Sequence, residues 1–547
     1  MPYRPLAPDL ILTGGTIYTM DALDRVATAL AIKDGHIVGA GFDEEMRSLA
    51  GLGTIEESLD GRIVVPGLVD AHNHLLFTGF LLQDLQLYDC RSIPEIAERV
   101  RAAVDQAKPG DWIVGRGWDE SLLAEGRFPS RYDLDAVSPN NPVVLHRVWN
   151  KLTCNSAALQ AAGIDRTTPD PATDVAYSGS FDRDESGEPT GLFRDRAKDL
   201  ITNSLPPKST ADYARAVAVA SQHYNAAGIT AAGEPGLYPD EIHGFHQAHL
   251  ENRLTVRTDM MLAGWGFGSA EIEEQLPERF QSMGVMTGFG DDMLRIGGVK
   301  FMPDGGIGDR TAKVYEPYEG ESENRGQWIV EPQELGYLIR FVHDLGFAID
   351  THTCGDEAQQ VTVEAYAAAQ TANPKPWLRH RVHHAYLPTE RTLELMAAHR
   401  IPAVVSDPFL RSLGESYIIS LGKERASRMM PMRTYLDRGI PLAGSSDSPV
   451  AVFDPWIGFH AAITRETVKG TVLGANERIS AKETLRSYTI GGAYALGRER
   501  EIGSVEPGKL ADLLILDEDP LEVAPDRFLD WKPRATMVGG VWTVDNR

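Results

Sequence analysis

The sequence predicts an α/β fold: a (β/α)8 TIM barrel with a small β-sandwich domain built from both chain termini and an insertion after barrel strand one. Three observations predict it. Strand-like and helix-like segments alternate regularly from Thr210 to Ser445. Both ends of the chain read as short strands and turns, while the middle does not. Histidine, lysine and carboxylate residues recur at the ends of apolar strands, where a barrel builds its active site. At roughly 150 residues per domain, 547 residues allow three to four domains or one large barrel with additions.

The terminal strands come first. Leu10-Ile11-Leu12 runs into Gly14-Gly15, and Ala29–Lys33 and His36–Gly39 flank Asp34-Gly35, a hairpin turn that tolerates positive φ. Segments 511–517 and 535–544 are strand-like again, so 1–65 and 500–547 are assigned to one composite β-sandwich and 66–499 to the barrel. The first barrel strand is read over 63–69. A stretch at about 78–205, rich in Trp, Pro, Asp and Gly, then breaks the alternation; it is read as an insertion covering the active-site mouth. From Thr210 onward, strands at 229–233, 254–263, 294–302, 347–353, 379–385, 401–406 and 440–445 complete a set of eight.

Composition excludes several classes. With 53 basic and 78 acidic residues the net charge is −25, a poor match for nucleic acid or an anionic membrane surface. No apolar run of about 18 residues is present. Cys90, Cys154 and Cys354 are too few and too scattered for a disulfide framework or a cysteine-based zinc site. Met1 to Pro8 holds three prolines and no apolar core, unlike a secretory signal, so the expected compartment is the cytoplasm.

The chemistry sits at strand ends. Strand one ends Asp70-Ala71-His72-Asn73-His74; two histidines at i and i+2 on a strand share a face and can share a metal at the barrel mouth. Strand four leads through Lys300 to Asp304, strand five ends at His352, strand six at His383-His384, and strand eight at Asp447.

The segments VPGLVDAHNH (65–74), KFMPDGGIGDRTA (300–312), His352 with Gly355-Asp356, GSSDSP (444–449) and GSVEPGKLAD (503–512) resemble the metal-dependent amidohydrolase superfamily, specifically its YtcJ-like branch, which includes N-substituted formamide deformylases. The resemblance covers nearly the whole chain. It implies metal ligands at His72, His74, Lys300, His352, His384 and Asp447. It also implies two divalent ions, zinc by expectation, bridged by a carboxylated Lys300. The implied partner is a small-molecule amide-type substrate, and the family's habit is a homodimer. Two departures stand out. The branch usually reads Arg-Ile-Glu-His-Ala-Gln at strand six, and here Arg381-Val382-His383-His384-Ala385-Tyr386 puts His384 on the ligand position and His383 in place of the glutamate. After strand five, His352-Thr353-Cys354-Gly355-Asp356 replaces the frequent His-Ala-Ile-Gly-Asp.

The physics leads to the same chemistry. A Lewis-acid metal lowers the pKa of bound water from about 16 toward about 7, and the hydroxide so formed attacks a polarised carbonyl. Asp447 can take the water proton and return it to the leaving amine. Unmodified Lys300 is protonated near neutral pH and a poor ligand; its alternative is an ion pair with Asp304, leaving a mononuclear site on His72, His74, His352 and Asp447, with His384 as a further candidate. If Val382 fills the barrel interior, His384 shares its face and Arg381 and His383 point outward.

Lesser candidates are Trp118, expected to line the substrate pocket or else to be a local core residue, and Asp304 and Arg310 in the glycine-rich loop after strand four. Arg310 would meet an anionic substrate group or Asp309, and His383 would at most orient a ligand or loop. Cys354 shares the predicted parity of His352 and reads as a buried small residue. His243, His246 and His249 fan across about 120° of a helix, too wide to converge on one ion. Ser445-Ser446-Asp447 lacks the elbow of a serine hydrolase. The predicted activity is hydrolysis of a non-peptide, amide-type C–N bond. Its rivals are a mononuclear deaminase or cyclic-amide hydrolase on the same barrel, and an inactive amidohydrolase-like regulatory protein.

Overall fold

Eight parallel strands form one sheet in the computed structural model: β1 (Leu68–Asp70), β2 (Ile229–Leu237), β3 (Arg257–Ala263), β4 (Leu294–Phe301), β5 (Ile349–Thr353), β6 (Arg381–His384), β7 (Ala403–Val405) and β8 (Leu442–Gly444), each hydrogen-bonded to the next in chain order. The structure describes residues 7–147, 151–170, 179–266 and 270–547; most of the Met1–Pro8 segment discounted as a secretory signal lies outside them. Between β1 and β8 the barrel closes through individual bonds. Ala71 N–H donates to the Gly444 carbonyl at 3.2 Å, and the Asp70 carboxylate accepts Ser446 N–H at 3.0 Å and the Ser446 hydroxyl at 2.6 Å.

The sequence places a single strand over 63–69, and the structure divides it. Ile63–Pro66 pairs antiparallel with Leu513–Leu516 in a terminal sheet, and Leu68–Asp70 enters the barrel. Gly67 is the joint: a Cβ there would lie 2.2 Å from Thr230 Oγ1, so no side chain fits where the chain crosses β2. The terminal strands form two sheets, of four and six strands, whose apolar faces meet through Leu12, Ile17, Ile32, Val64, Leu513 and Met537. Both chain ends therefore build one sandwich, and the buried pair Arg257–Asp512, at 2.7 Å, ties it to the foot of β3.

Helices between the strands cover the barrel's outer face. Leu338, Val363 and Met396 from three of them pack on Val299, Ile349, Val382 and Val405. Val382 thus faces the helices, and the parity expected for β6 is reversed: Arg381 and His383 point into the barrel. Much of the interior beneath the mouth is polar, with Asp259, Lys300, Asp350, Arg381 and His383 all buried, rather than branched apolar side chains throughout. A register shift in the β3–β4 ladder, opposite Ile296–Gly298, inserts one residue. A bulge of this kind switches side-chain parity, so Lys300 turns inward while Val299 joins the outer layer.

Residues Gly79–Asp212 form a second compact unit, distinct from Met1–Thr78 with Tyr213–Arg547. Its six-stranded sheet and helix Ile93–Val104 enclose an apolar core containing Leu87, Ile96, Val100, Trp118, Val143 and Leu145. Ser92 caps that helix by accepting Glu95 N–H at 3.3 Å. Among the described residues no helix is long and apolar enough to cross a membrane.

Candidate metal centre

His72, His74 and Asp447 converge from the two ends of the sheet. Asp447 Oδ1 lies 3.1 Å from His72 Nε2 and 3.5 Å from His74 Nε2. Asp447 N–H donates to the His72 carbonyl at 2.9 Å, which fixes the loop after β8 on the loop after β1. Asp447 holds a left-handed backbone, φ 51°, a conformation that costs about 1–3 kcal/mol for a non-glycine residue and persists only where surrounding bonds impose it. Burial pushes the Asp447 carboxyl up, but the hydrogen bonds from His72 and His74 outweigh it and hold the group below the usual carboxylate range.

Beneath them lies a buried charge network centred on Asp350. Its carboxylate accepts Lys300 Nζ–H at 2.8 Å and Arg381 Nε–H at 2.8 Å, and His383 Nε2 lies 2.7 Å away. Lys300 is therefore paired, but with Asp350 on the neighbouring strand and not with Asp304. Its Nζ also reaches His383 Nδ1 at 3.1 Å, and the His383 ring stands edge-on to His72 with centroids 3.7 Å apart. Burial lowers the Lys300 pKa, and Asp350 works against that fall.

The outward placement expected for His383 is corrected: it lies inside the barrel against Lys300. His384 reaches the mouth as well, because its backbone turns left-handed at the strand end, with φ 69°. Strict alternation would forbid two adjacent inward histidines, and the twist at the last residue of β6 removes that restriction. His384 Nε2 lies 2.9 Å from His352 Nδ1, and Cys354 Sγ lies 3.4 Å from His352 Nε2.

Burial pushes His72, His383 and His384 well below the ordinary imidazole range and His352 down to about 4, so these rings are neutral and offer lone pairs at pH 7. Among the described residues three groups have ligand atoms within 4.8 Å of one another: His72, His74 and Asp447; His352, Cys354 and His384; and His72, Asp350 and His383. In the third group Asp350 already holds Lys300 and Arg381, which leaves the first two as the open sets. The Nδ1 atoms of His72, His74 and His384 are buried with no hydrogen-bond partner. Neutral imidazoles, a carboxylate and unpaired nitrogens together fit divalent metal ions.

The lesser candidates fall elsewhere. Trp118 is 1% exposed and its indole N–H donates to the Leu145 carbonyl at 3.0 Å, so it is a core residue of the second unit and not a pocket wall. Asp304 is fully buried and accepts backbone N–H groups from Lys313, Cys354 and Gly355, at 3.0, 3.2 and 2.8 Å; it clamps two loops and offers nothing to a substrate. Burial raises its pKa to about 7, against the pull of those donors. Arg310 pairs with Glu321 and the Ile419 carbonyl, not with Asp309. Gly305 serves loop packing, since a Cβ there would meet Thr311 Oγ1 at 2.2 Å. His249 bonds Asp291 at 2.8 Å, as a helix-face histidine would. Sequence reasoning missed Asp350 as the partner of Lys300; its position two residues before His352, on the same strand face, was the available signal.

A closed parallel barrel with histidines, a lysine and an aspartate at its strand ends defines a metal-dependent hydrolase architecture. The amidohydrolase family model matches residues 56–544, and the chain belongs to that family. It is 29% identical over 537 residues to the YtcJ amidohydrolase of Bacillus subtilis, covering 96% of this chain and 98% of that one. It is 28% identical over 552 residues to the N-substituted formamide deformylase of Arthrobacter pascens, with 97% and 98% covered. Among solved structures, a metal-dependent hydrolase of Pyrococcus furiosus superposes with a TM-score of 0.76 at 28% identity, covering 94% of this chain and all of that one.

Proposed function

We infer that the protein hydrolyses a non-peptide, amide-type C–N bond in a small molecule and depends on divalent metal to do so. The carrying observation is the convergence of His72, His74 and Asp447 at the barrel mouth, with His352 and His384 beside them, all but His74 and His352 nearly fully buried. A bound divalent ion supplies Lewis acidity, which activates water and polarises a carbonyl. Asp447 is the carboxylate placed to take up a proton there and pass it to the departing amine. The similarity to an N-substituted formamide deformylase supports a small acylated amine as substrate. Three unpaired, buried thiols suit a reducing cytoplasm.

The fuller form of this reading has two zinc ions and a carboxylated Lys300. Carbon dioxide adds to the neutral amine, a new N–C bond forms, and one proton leaves to solvent. Burial favours the neutral amine. Arg381 remains bonded to Asp350 when Lys300 turns away, so the carboxylate keeps a cationic partner. The Lys300–Asp350 bond itself favours the second reading, in which the ammonium persists and one ion serves a deaminase or cyclic-amide hydrolase.

Metal analysis of purified protein together with a screen of N-formyl and N-acyl amines, lactams and carbamates tests this. Chelator-reversible amide hydrolysis is expected. A protein that binds no divalent ion and cleaves nothing in the screen would be the inactive, regulatory alternative. Labelling with 13C-bicarbonate separates the two forms, since a protein-bound carbamate resonance appears only if Lys300 is carboxylated.

A further inference from the structure

We propose that a cavity at the end of the barrel opposite the metal centre binds a small organic anion, a phosphate or carboxylate group carried on a flat, apolar body. The site does not depend on the hydrolase reading above.

The cavity, about 450 Å³ in volume, lies where the chain enters β6 and β7. The metal ligands stand at the C-terminal strand ends, so the two sites occupy opposite faces of the barrel. A space of this size with apolar walls and a few placed polar groups is typical of small-molecule sites. Pro374, Pro376, Leu378 and Ile401 supply the apolar wall, and the Tyr494 ring adds a flat surface. Arg379, His399 and Arg400 supply polar groups. No carboxylate is among the described lining residues, although the chain as a whole carries a charge of −25. A basic lining in an acidic protein is a local inversion of the field, and it favours an anion there.

The two arginines are held around one ring. The Arg379 guanidinium lies 4.5 Å from the Tyr494 ring centroid and that of Arg400 lies 5.5 Å from it. Tyr494 Oη accepts Arg400 Nε–H and donates to the Arg400 carbonyl, both at 3.4 Å, so side chain and backbone are tied to the same phenol. Their charges are compensated differently. Arg379 pairs with Glu499 and donates to the Pro376 carbonyl, yet its Nε is buried with no partner. Among the described residues no carboxylate pairs with Arg400, and its one side-chain hydrogen bond leaves both terminal nitrogens available. Such a planar fork matches two oxygens of a carboxylate or phosphate. A bare ion would satisfy the fork and gain nothing from the wall of Pro374, Pro376, Leu378 and Ile401, which is why the ligand carries an apolar body.

Phenyl phosphate and benzoate titrated into the full-length holoenzyme, followed by ligand-observed NMR, test this. Saturable binding that a chelator does not change is expected of at least one of them, and the tighter names the anion. Benzamide, with the body and no charge, and inorganic phosphate, with the charge and no body, should each compete more weakly by about tenfold or more. Arg400→Asn should weaken binding by about tenfold or more, the usual worth of a charge-assisted hydrogen bond. Asparagine tolerates the left-handed backbone, φ 52°, with which Arg400 ends helix Glu390–His399, so the fold is kept. Arg400→Lys keeps the charge, loses the fork and should fall between the two. Binding that is equal in Arg400→Asn, or that disappears on chelation, belongs elsewhere and overturns the proposal. Equal competition by benzamide removes the anion, equal competition by inorganic phosphate removes the apolar body, and no binding of either probe at millimolar concentration removes the site.

Discussion

Lys300 Nζ and Asp350 Oδ1 lie 2.8 Å apart with both side chains buried, and Arg381 shares the same carboxylate. Removing one partner from such a pair strands a charge where water cannot reach it, at a cost of about 3–5 kcal/mol. Asp350→Asn should therefore lower the urea midpoint of the metal-stripped protein by a corresponding amount. A loss under about 1 kcal/mol, the range of an exposed ion pair, would mean that Lys300 is already neutral or turned away from Asp350.

Lys300→Ala bears on metal count. If the carbamate bridges two ions, the variant should retain about one fewer ion per chain by elemental analysis and lose most activity, with partial rescue by added short-chain carboxylic acids. Full activity with unchanged metal content would remove the bridge and leave the mononuclear reading.

Among the described residues Asp447 is the one carboxylate that faces both His72 and His74. Asp447→Asn should keep the fold and lower kcat by about 10²–10⁴-fold, the usual contribution of positioned acid–base chemistry. Rates measured at saturating metal separate this from weakened binding. A fall of less than tenfold would assign the proton to another group.

His383 and His384 now have distinct expected roles. His384→Ala removes a ligand atom from the His352 set, so metal content and activity should both fall. His383 touches Lys300 and Asp350 and stacks edge-on against His72. His383→Ala should retain metal and cost about 10–100-fold in rate by loosening Lys300, as outer-sphere partners do. Metal lost from His383→Ala but kept in His384→Ala would exchange the two assignments.

The barrel strands, and the histidines and aspartate that meet at the mouth, were legible because apolar runs ending in His, Lys or Asp are a local signal. Orientation was not. Whether Val382 or His383 faces inward depends on how β6 sits between β5 and β7, and the polar interior at Asp350, Arg381 and Lys300 contradicts the usual apolar filling of a barrel. The inward turn of Lys300 depends on a register shift against β3, which no periodicity in 294–301 reveals. Likewise the left-handed backbone at His384 lets two neighbours share one mouth. Trp118 stayed open between two readings for a different reason: an aromatic in a glycine-rich segment looks the same whether it walls a pocket or fills a core, and its burial and the bond to the Leu145 carbonyl decide for the core.

A second histidine pair, away from the metal centre, sets an acid limit. Ile349 N–H donates to His380 Nδ1 at 3.0 Å, so the His380 hydrogen is on Nε2 and points at His343 Nδ1, 2.8 Å away; His343 Nε2–H then donates to the Asn373 carbonyl at 2.7 Å. Every nitrogen in this chain has one role, and a proton added to either ring would face an existing N–H. Burial pushes the His380 pKa well below its ordinary value and lowers that of His343 too. The unfolded chain takes up protons near pH 6.5 while the folded His380 does not, so stability is full above about pH 6.5 and falls as pH drops below it, by up to about 1.4 kcal/mol per pH unit for His380, with His343 adding in the same direction. The buried histidines of the metal centre add to the total slope, so the measurement is a difference between proteins. His380→Phe should lower stability at pH 7.5, because the Ile349 N–H loses its acceptor, yet flatten the dependence between pH 6.5 and 5 by up to about 1.4 kcal/mol per unit, since the unfolded chain then has one fewer imidazole to protonate. Urea titrations of both metal-stripped proteins across that range would read it, and parallel curves would show that the pair already protonates in the folded state.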